Sequence, residues 1–228
     1  MMVSGYQTID NDKVDAICFS TEIGTIEVVR QSRQPFNRSQ GRILSMKNVS
    51  FINMADGTAE EYKFLGEQEA LFIQGLPGRI MQSLKGLEQS FSGYQISRLE
   101  HSLQSATRAH NDERSTEYVV AALLHDIGDE LAPHSHSEMS ASILRPYVSE
   151  QIYWIVKYHG VFQMYYYAHH IGGDQNARDR YKDHVWYDDA VDFCELYDQN
   201  CFDPNYKTQS LEFFRPMVET VFGKEIHF

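Results

Sequence analysis

Six consecutive residues, Val119-Val120-Ala121-Ala122-Leu123-Leu124, are apolar, and they run directly into His125-Asp126-Ile127-Gly128. A helix over this run, opened by Ser115, has no polar face and therefore belongs at the centre of a helical bundle. The polar pair at its end is costly to bury without partners. A metal resolves that cost, because imidazole and carboxylate are both good ligands for first-row ions. Adjacent side chains on a helix diverge by about 100°. His125 can thus serve one ion while Asp126, with two oxygens, faces a second as well.

The surrounding sequence is helical from Thr58 onward. Thr58 with Glu61, Ser97 with Glu100 and Ser135 with Glu138 each have the S/T-x-x-E spacing of a capping box. Pro77 interrupts the first helical stretch. Ser149 opens a helix reaching His159-Gly160, and two more run from about Trp186 to Gln199 and from Ser210 to Phe222. Residues 1–45 read differently. Short β-prone runs, Ala16–Phe19 and Thr25–Val29, bracket Gly24 as a hairpin signal. The expectation is an all-α protein with a helical bundle over residues 46–228 and a small N-terminal extension, residues 1–45, that carries no motif.

Charge narrows the function. The chain has 20 Lys+Arg against 32 Asp+Glu, a formal net charge of −12, whereas nucleic-acid binders carry a basic stripe. Nine of the ten histidines fall between His101 and His184. Imidazoles clustered in an acidic chain point to a cation site. Cys18, Cys194 and Cys201 are odd in number and lack C-x-x-C spacing, which excludes a thiolate zinc site and a disulfide framework. A reducing, cytoplasmic setting follows. No apolar run approaches 18 residues and the N-terminus lacks a secretory pattern, so no membrane association is expected.

Further ligands should come from neighbouring helices. His101 lies 24 residues before His125, with Gln104, Ser105 and Arg108 following on the same face. His136 begins the helix after the His-Asp pair, His159 ends the next, and Asp198 closes an aromatic-rich one. Each sits at a helix end or first turn, as dimetal sites in bundle cores are assembled.

With these residues in place, the sequence resembles the HD-domain superfamily, whose signature is His…His-Asp…Asp. Within it the resemblance is closest to the HD-type mixed-valent diiron oxygenases, the group of myo-inositol oxygenase and the phosphonate-cleaving enzymes. Ile96–Ala106 and Ala122–Gly128 resemble the first-ligand and central segments of that group. His136-Ser-Glu-Met-Ser-Ala and Lys157-Tyr158-His159 resemble its two extra histidine positions. His170–Asp174, Leu196-Tyr197-Asp198 and Arg215-Pro216 resemble its C-terminal third.

The resemblance implies that His101, His125, Asp126 and Asp198 hold one iron, and that Asp126 bridges to a second held by His136 and His159. Asp192 is the alternative to Asp198, and His134 to His136. An Fe(II)/Fe(III) pair with dioxygen as co-substrate would then oxidatively cleave a small hydroxylated molecule. The other activity open to the superfamily is phosphohydrolysis with Mn, Mg or Zn. Tyr94, Gln104, Asp129, Gln163 and Glu195 are the expected substrate contacts, with Tyr94 as a lid and Tyr165–Tyr167 as a second wall. Asp129 stands where the inositol enzymes have lysine. Acid at Asp129 and Glu195 suits a neutral polyol or a cationic amino end better than a dianion, which normally takes Arg or Lys clamps.

Overall fold

In the computed structural model, residues 47–224 and 226 are described. The expected N-terminal arm and its hairpin around Gly24, together with His227, lie outside the described residues. The chain divides into two compact units, Met1–Leu65 and Gly66–Phe228. In the described part of the first, the Thr58–Glu61 capping box forms: Glu61 N–H donates to Thr58 Oγ1 and Thr58 N–H to Glu61 Oε2. Backbone donors from Thr58 and Ser50 hold the Glu61 carboxyl down at about 2.

The described residues form eight α-helices and no strand. They are α1 (Ala59–Gln74), α2 (Leu76–Gly86), α3 (Arg98–Asn111), α4 (Thr116–Leu124), α5 (His136–Leu144), α6 (Glu150–Tyr167), α7 (Tyr187–Tyr197) and α8 (Leu211–Phe222). Pro77 sits in the first turn of α2, where its missing N–H costs nothing. Side-chain oxygens of Ser97, Ser115, Ser149 and Ser210 each accept a backbone N–H in the first turn of α3, α4, α6 and α8. Only the first of these completes a capping box. The box expected at Ser135 does not form, and this residue caps α5 with no side-chain hydrogen bond.

Helix α4 is central, as its apolar run Val119–Leu124 requires. It packs against α3, α6 and α8, while α5 packs on α6 and α6 on α7. Every residue from Val119 to Leu124 is 1% exposed or less. Burying each Val or Leu side chain of that run contributes roughly 1.5–3 kcal/mol, which anchors the turn that follows it. His125 and Asp126 are consequently held just past the end of the most buried helix, where α3, α5, α6 and α7 converge on them.

Candidate metal centre

Three buried imidazoles have their orientation set by main-chain carbonyls. His101 Nδ1 faces Cys201 O at 3.0 Å, His125 Nδ1 faces Ala122 O at 2.7 Å, and His159 Nδ1 faces Val156 O at 2.7 Å. A carbonyl only accepts, so each Nδ1 carries a proton and each ring turns its Nε2 inward. These inward nitrogens converge on one another and on two carboxylates. His101 Nε2 and His125 Nε2 are 3.0 Å apart. Asp126 Oδ2 lies 3.3 Å from His101 Nε2 and 3.2 Å from His125 Nε2. Its other oxygen, Oδ1, lies 3.3 Å from His159 Nε2 and 3.4 Å from His136 Nε2. The two oxygens of Asp126 therefore face two separate pairs of imidazoles.

Asp198 completes the first group, with Oδ1 3.4 Å from His101 Nε2 and 3.8 Å from His125 Nε2. It follows the last residue of α7, is buried, and leaves Oδ2 without any hydrogen-bond partner. Asp192 and His134 are exposed, so Asp198 and His136 are the members of each pair brought to the cluster. The groups able to share one ion are His101, His125 and Asp198; His125, Asp126 and His159; and Asp126, Asp129 and His136.

The electrostatics ask for positive charge. Burial opposes ionisation of Asp126, yet His125 and Arg98 hold its carboxyl well below the ordinary range. Asp198 is likewise depressed against burial by hydrogen bonds from His101 and His125. His125 is buried, but the neighbouring Asp126 carboxylate raises it well above an ordinary imidazole. Burial lowers His136 against the pull of Asp126 and Asp129, with His159 and His125 reinforcing burial. Facing imidazole nitrogens, an orphaned buried carboxylate oxygen and an all N/O donor set fit a bound first-row cation.

The expected substrate residues are placed less uniformly. Asp129 Oδ2 accepts from Arg98 Nε at 2.7 Å, and its Oδ1 lies 3.5 Å from His136 Nδ1. Its charge is thus engaged beside the cluster. Gln104 is buried and spends both ends of its amide on the Asp203 backbone, at 2.7 and 3.3 Å. Gln163 Nε2 donates to Asp198 Oδ1 at 2.9 Å. Glu195 is exposed on α7. Tyr94 is half exposed and stacks on Phe202, which stacks in turn on the His101 ring. Burial raises the Tyr167 hydroxyl, and Tyr94, Asp198 and Asp126 add to the shift.

Arg98 belongs to the site although no ligand motif marks it. It is buried and donates through Nη2 to Asp126 Oδ2 as well as to Asp129. Its position three residues before His101, on the same face of α3, is the signal that identifies it. Gly128 has a steric role. A Cβ there would stand 2.7 Å from His136 O and 2.9 Å from His136 Cα, so only glycine lets the turn after Asp126 approach the start of α5.

Residues 98–192 match the HD domain family, and the His/Asp cluster that could hold a divalent metal lies in and beside that span. It is also similar to [1-hydroxy-2-(trimethylamino)ethyl]phosphonate dioxygenase (glycine-betaine-forming) of Leisingera caerulea, 29% identical over 104 residues, covering 39% of this chain and 53% of the relative. The chain thus spans about half the length of the relative it matches. No helix among the described residues is long and apolar enough to cross a membrane.

Proposed function

We propose that the protein is a dimetal oxygenase that uses an Fe(II)/Fe(III) pair and dioxygen to cleave a small hydroxylated substrate. One iron would be held by His101, His125, Asp126 and Asp198. The other would be held by His136, His159 and the second oxygen of Asp126. When bound, such a pair supplies Lewis acidity toward the substrate hydroxyl and the electrons for dioxygen activation. The observation carrying the reading is the division of Asp126, one oxygen toward His101 and His125 and the other toward His136 and His159. The likeness to a named phosphonate dioxygenase adds to it.

The protein's own residues would set the site around those ions. Arg98 holds Asp126 ionised, Asp129 faces the outer nitrogen of His136, and Gln163 fixes Asp198 from α6. Tyr94 and Tyr167 would stand at the entrance and shed water from a bound substrate. The guanidinium nearest the cluster, Arg98, is already committed to two carboxylates. This favours a neutral polyol or a cationic end on the substrate over an unclamped dianion.

Metal analysis and EPR on aerobically purified protein test the proposal. Two irons per chain and a spin-half signal from a coupled Fe(II)/Fe(III) pair are expected, with the signal lost on full reduction. Zinc, manganese or magnesium in place of iron, with turnover of a phosphate ester, would replace it with phosphohydrolysis.

A further inference from the structure

Between α7 and α8 the chain runs without helix or strand, through turns at Asp198–Asn200 and at Pro204 and Asn205. Such a segment has no ladder to satisfy its backbone groups, so side chains must do so. One face of α3 does. His101 Nδ1 donates to Cys201 O at 3.0 Å, and Gln104 exchanges two hydrogen bonds with the Asp203 backbone. Arg108 Nη2 donates to Asn200 O at 3.1 Å, and its guanidinium lies 4.2 Å from the centre of the Tyr206 ring. Gln209 N–H donates to Thr107 Oγ1 at 3.0 Å. Residues 101, 104 and 108 follow the helical repeat, so the segment is strapped along a single stripe of α3.

We infer that this strap, with Gln104 as its central fastener, is a positioning device for the His101 ligand. Two contacts reach His101 from it. Cys201 O takes the Nδ1 proton and thereby dictates that Nε2 presents its lone pair to the site. Phe202 lies against the imidazole face, ring centres 4.3 Å apart and planes 24° from parallel. Both residues are short neighbours of Asp203, the point that Gln104 grips from both ends. The same segment starts at Asp198, whose carbonyl accepts from Cys201 N–H at 3.0 Å. Two proposed ligands of one ion, His101 and Asp198, are therefore held by one piece of backbone. Hydrogen-bond partners behind metal-bound imidazoles typically change metal affinity by about 10–100-fold when removed.

The inference rests on the metal reading, and Co(II) titration of the metal-free full-length protein separates the two. Uptake is followed by calorimetry and by the visible ligand-field spectrum, well below the melting temperature of every variant. Gln104→Met keeps the side-chain length and loses both bonds to Asp203. It should weaken one of two Co(II) sites by about 10–100-fold and alter that site's spectrum, leaving the other site at its wild-type affinity. Phe202→Leu should weaken the same site, and Phe202→Tyr, which retains the stacked ring, should restore it. A residue that only stabilises the fold would lower the melting temperature and leave the affinity and spectrum of the folded protein unchanged. That outcome for Gln104→Met overturns the positioning role alone. A wild-type protein that takes up no Co(II) overturns the metal reading and the inference with it.

Discussion

Replacing Arg98 by Met removes the one guanidinium that the cluster holds and leaves side-chain volume nearly in place. Arg98 Nε lies 2.7 Å from Asp129 Oδ2, and Nη2 contacts Asp126 Oδ2, with only 10% of the arginine side chain exposed. At an effective dielectric of about 20, the Asp129 pair alone has a gross attraction of about 6 kcal/mol. Desolvation of the guanidinium offsets much of this. The expected net loss on stranding the buried carboxylates is about 3–5 kcal/mol. At about 2–4 °C per kcal/mol for a domain of this size, metal-free Arg98→Met should melt about 6–20 °C below wild type. Adding a divalent ion should reverse the order of effects, because the ion replaces the lost positive charge and no longer competes with Arg98 for Asp126 Oδ2. The metal-induced rise in melting temperature should therefore be larger in the variant than in wild type. Calorimetric melts with and without Mn(II) measure both quantities. A metal-free variant melting with wild type, or an equal or smaller metal-induced rise, would refute this account of Arg98.

Two further predictions concern parts of the site set by packing. Gly128→Ala places a methyl against the His136 backbone, so α5 must retreat; the ion facing His136 and His159 should be weakened or lost before the one facing His101 and His125, as metal titration would reveal. Burial raises the Cys194 thiol well above its ordinary value and the Cys201 thiol from 9.0 to about 12. Both should stay unmodified by iodoacetamide at pH 8 in the folded protein and react after urea unfolding, as read by peptide mass spectrometry. Because their folded values are raised, their contribution to stability is complete below about pH 9 and is lost as pH rises toward 12.

The helices and the residues of the His/Asp cluster were legible because they depend on local rules. Serine caps at 97, 115, 149 and 210, an apolar run in α4 and a polar pair at its end all lie within a few residues of the structure they specify. Ser135 failed as a cap, since spacing alone does not fix the local backbone, which takes φ −148° and ψ 31° there. The surroundings of the cluster were not legible for a different reason. His101 and Cys201 are 100 residues apart, and Gln104 and Asp203 are 99 apart. A side chain gripping a distant carbonyl leaves no periodicity in sequence. Gln104 consequently reads as a polar residue facing a site when its amide is in fact spent on backbone. Asp129 reads as a free acid because its partner, Arg98, is 31 residues away.

The separations within the cluster bear on whether protons or cations supply the missing charge. Charge-assisted hydrogen bonds between imidazole and carboxylate normally close to about 2.7–2.9 Å. Here the four Asp126 contacts span 3.2–3.4 Å and the Asp198–His101 contact is 3.4 Å, long for protons in place. A first-row ion with bonds of about 2.1 Å sets its ligands about 3.0 Å apart at right angles and about 3.4 Å apart at tetrahedral angles. The His101–His125 distance of 3.0 Å falls on the first value and the carboxylate contacts on or near the second. Two lone pairs at 3.0 Å repel unless something positive lies between them. The carbonyls behind His101 and His125 already claim the Nδ1 protons, so a hydrogen bond between the two Nε2 atoms would need a further proton. Spacing that is long for charge-assisted hydrogen bonds and suited to shared coordination argues that the cluster is built for cations, with Asp126 the group common to both.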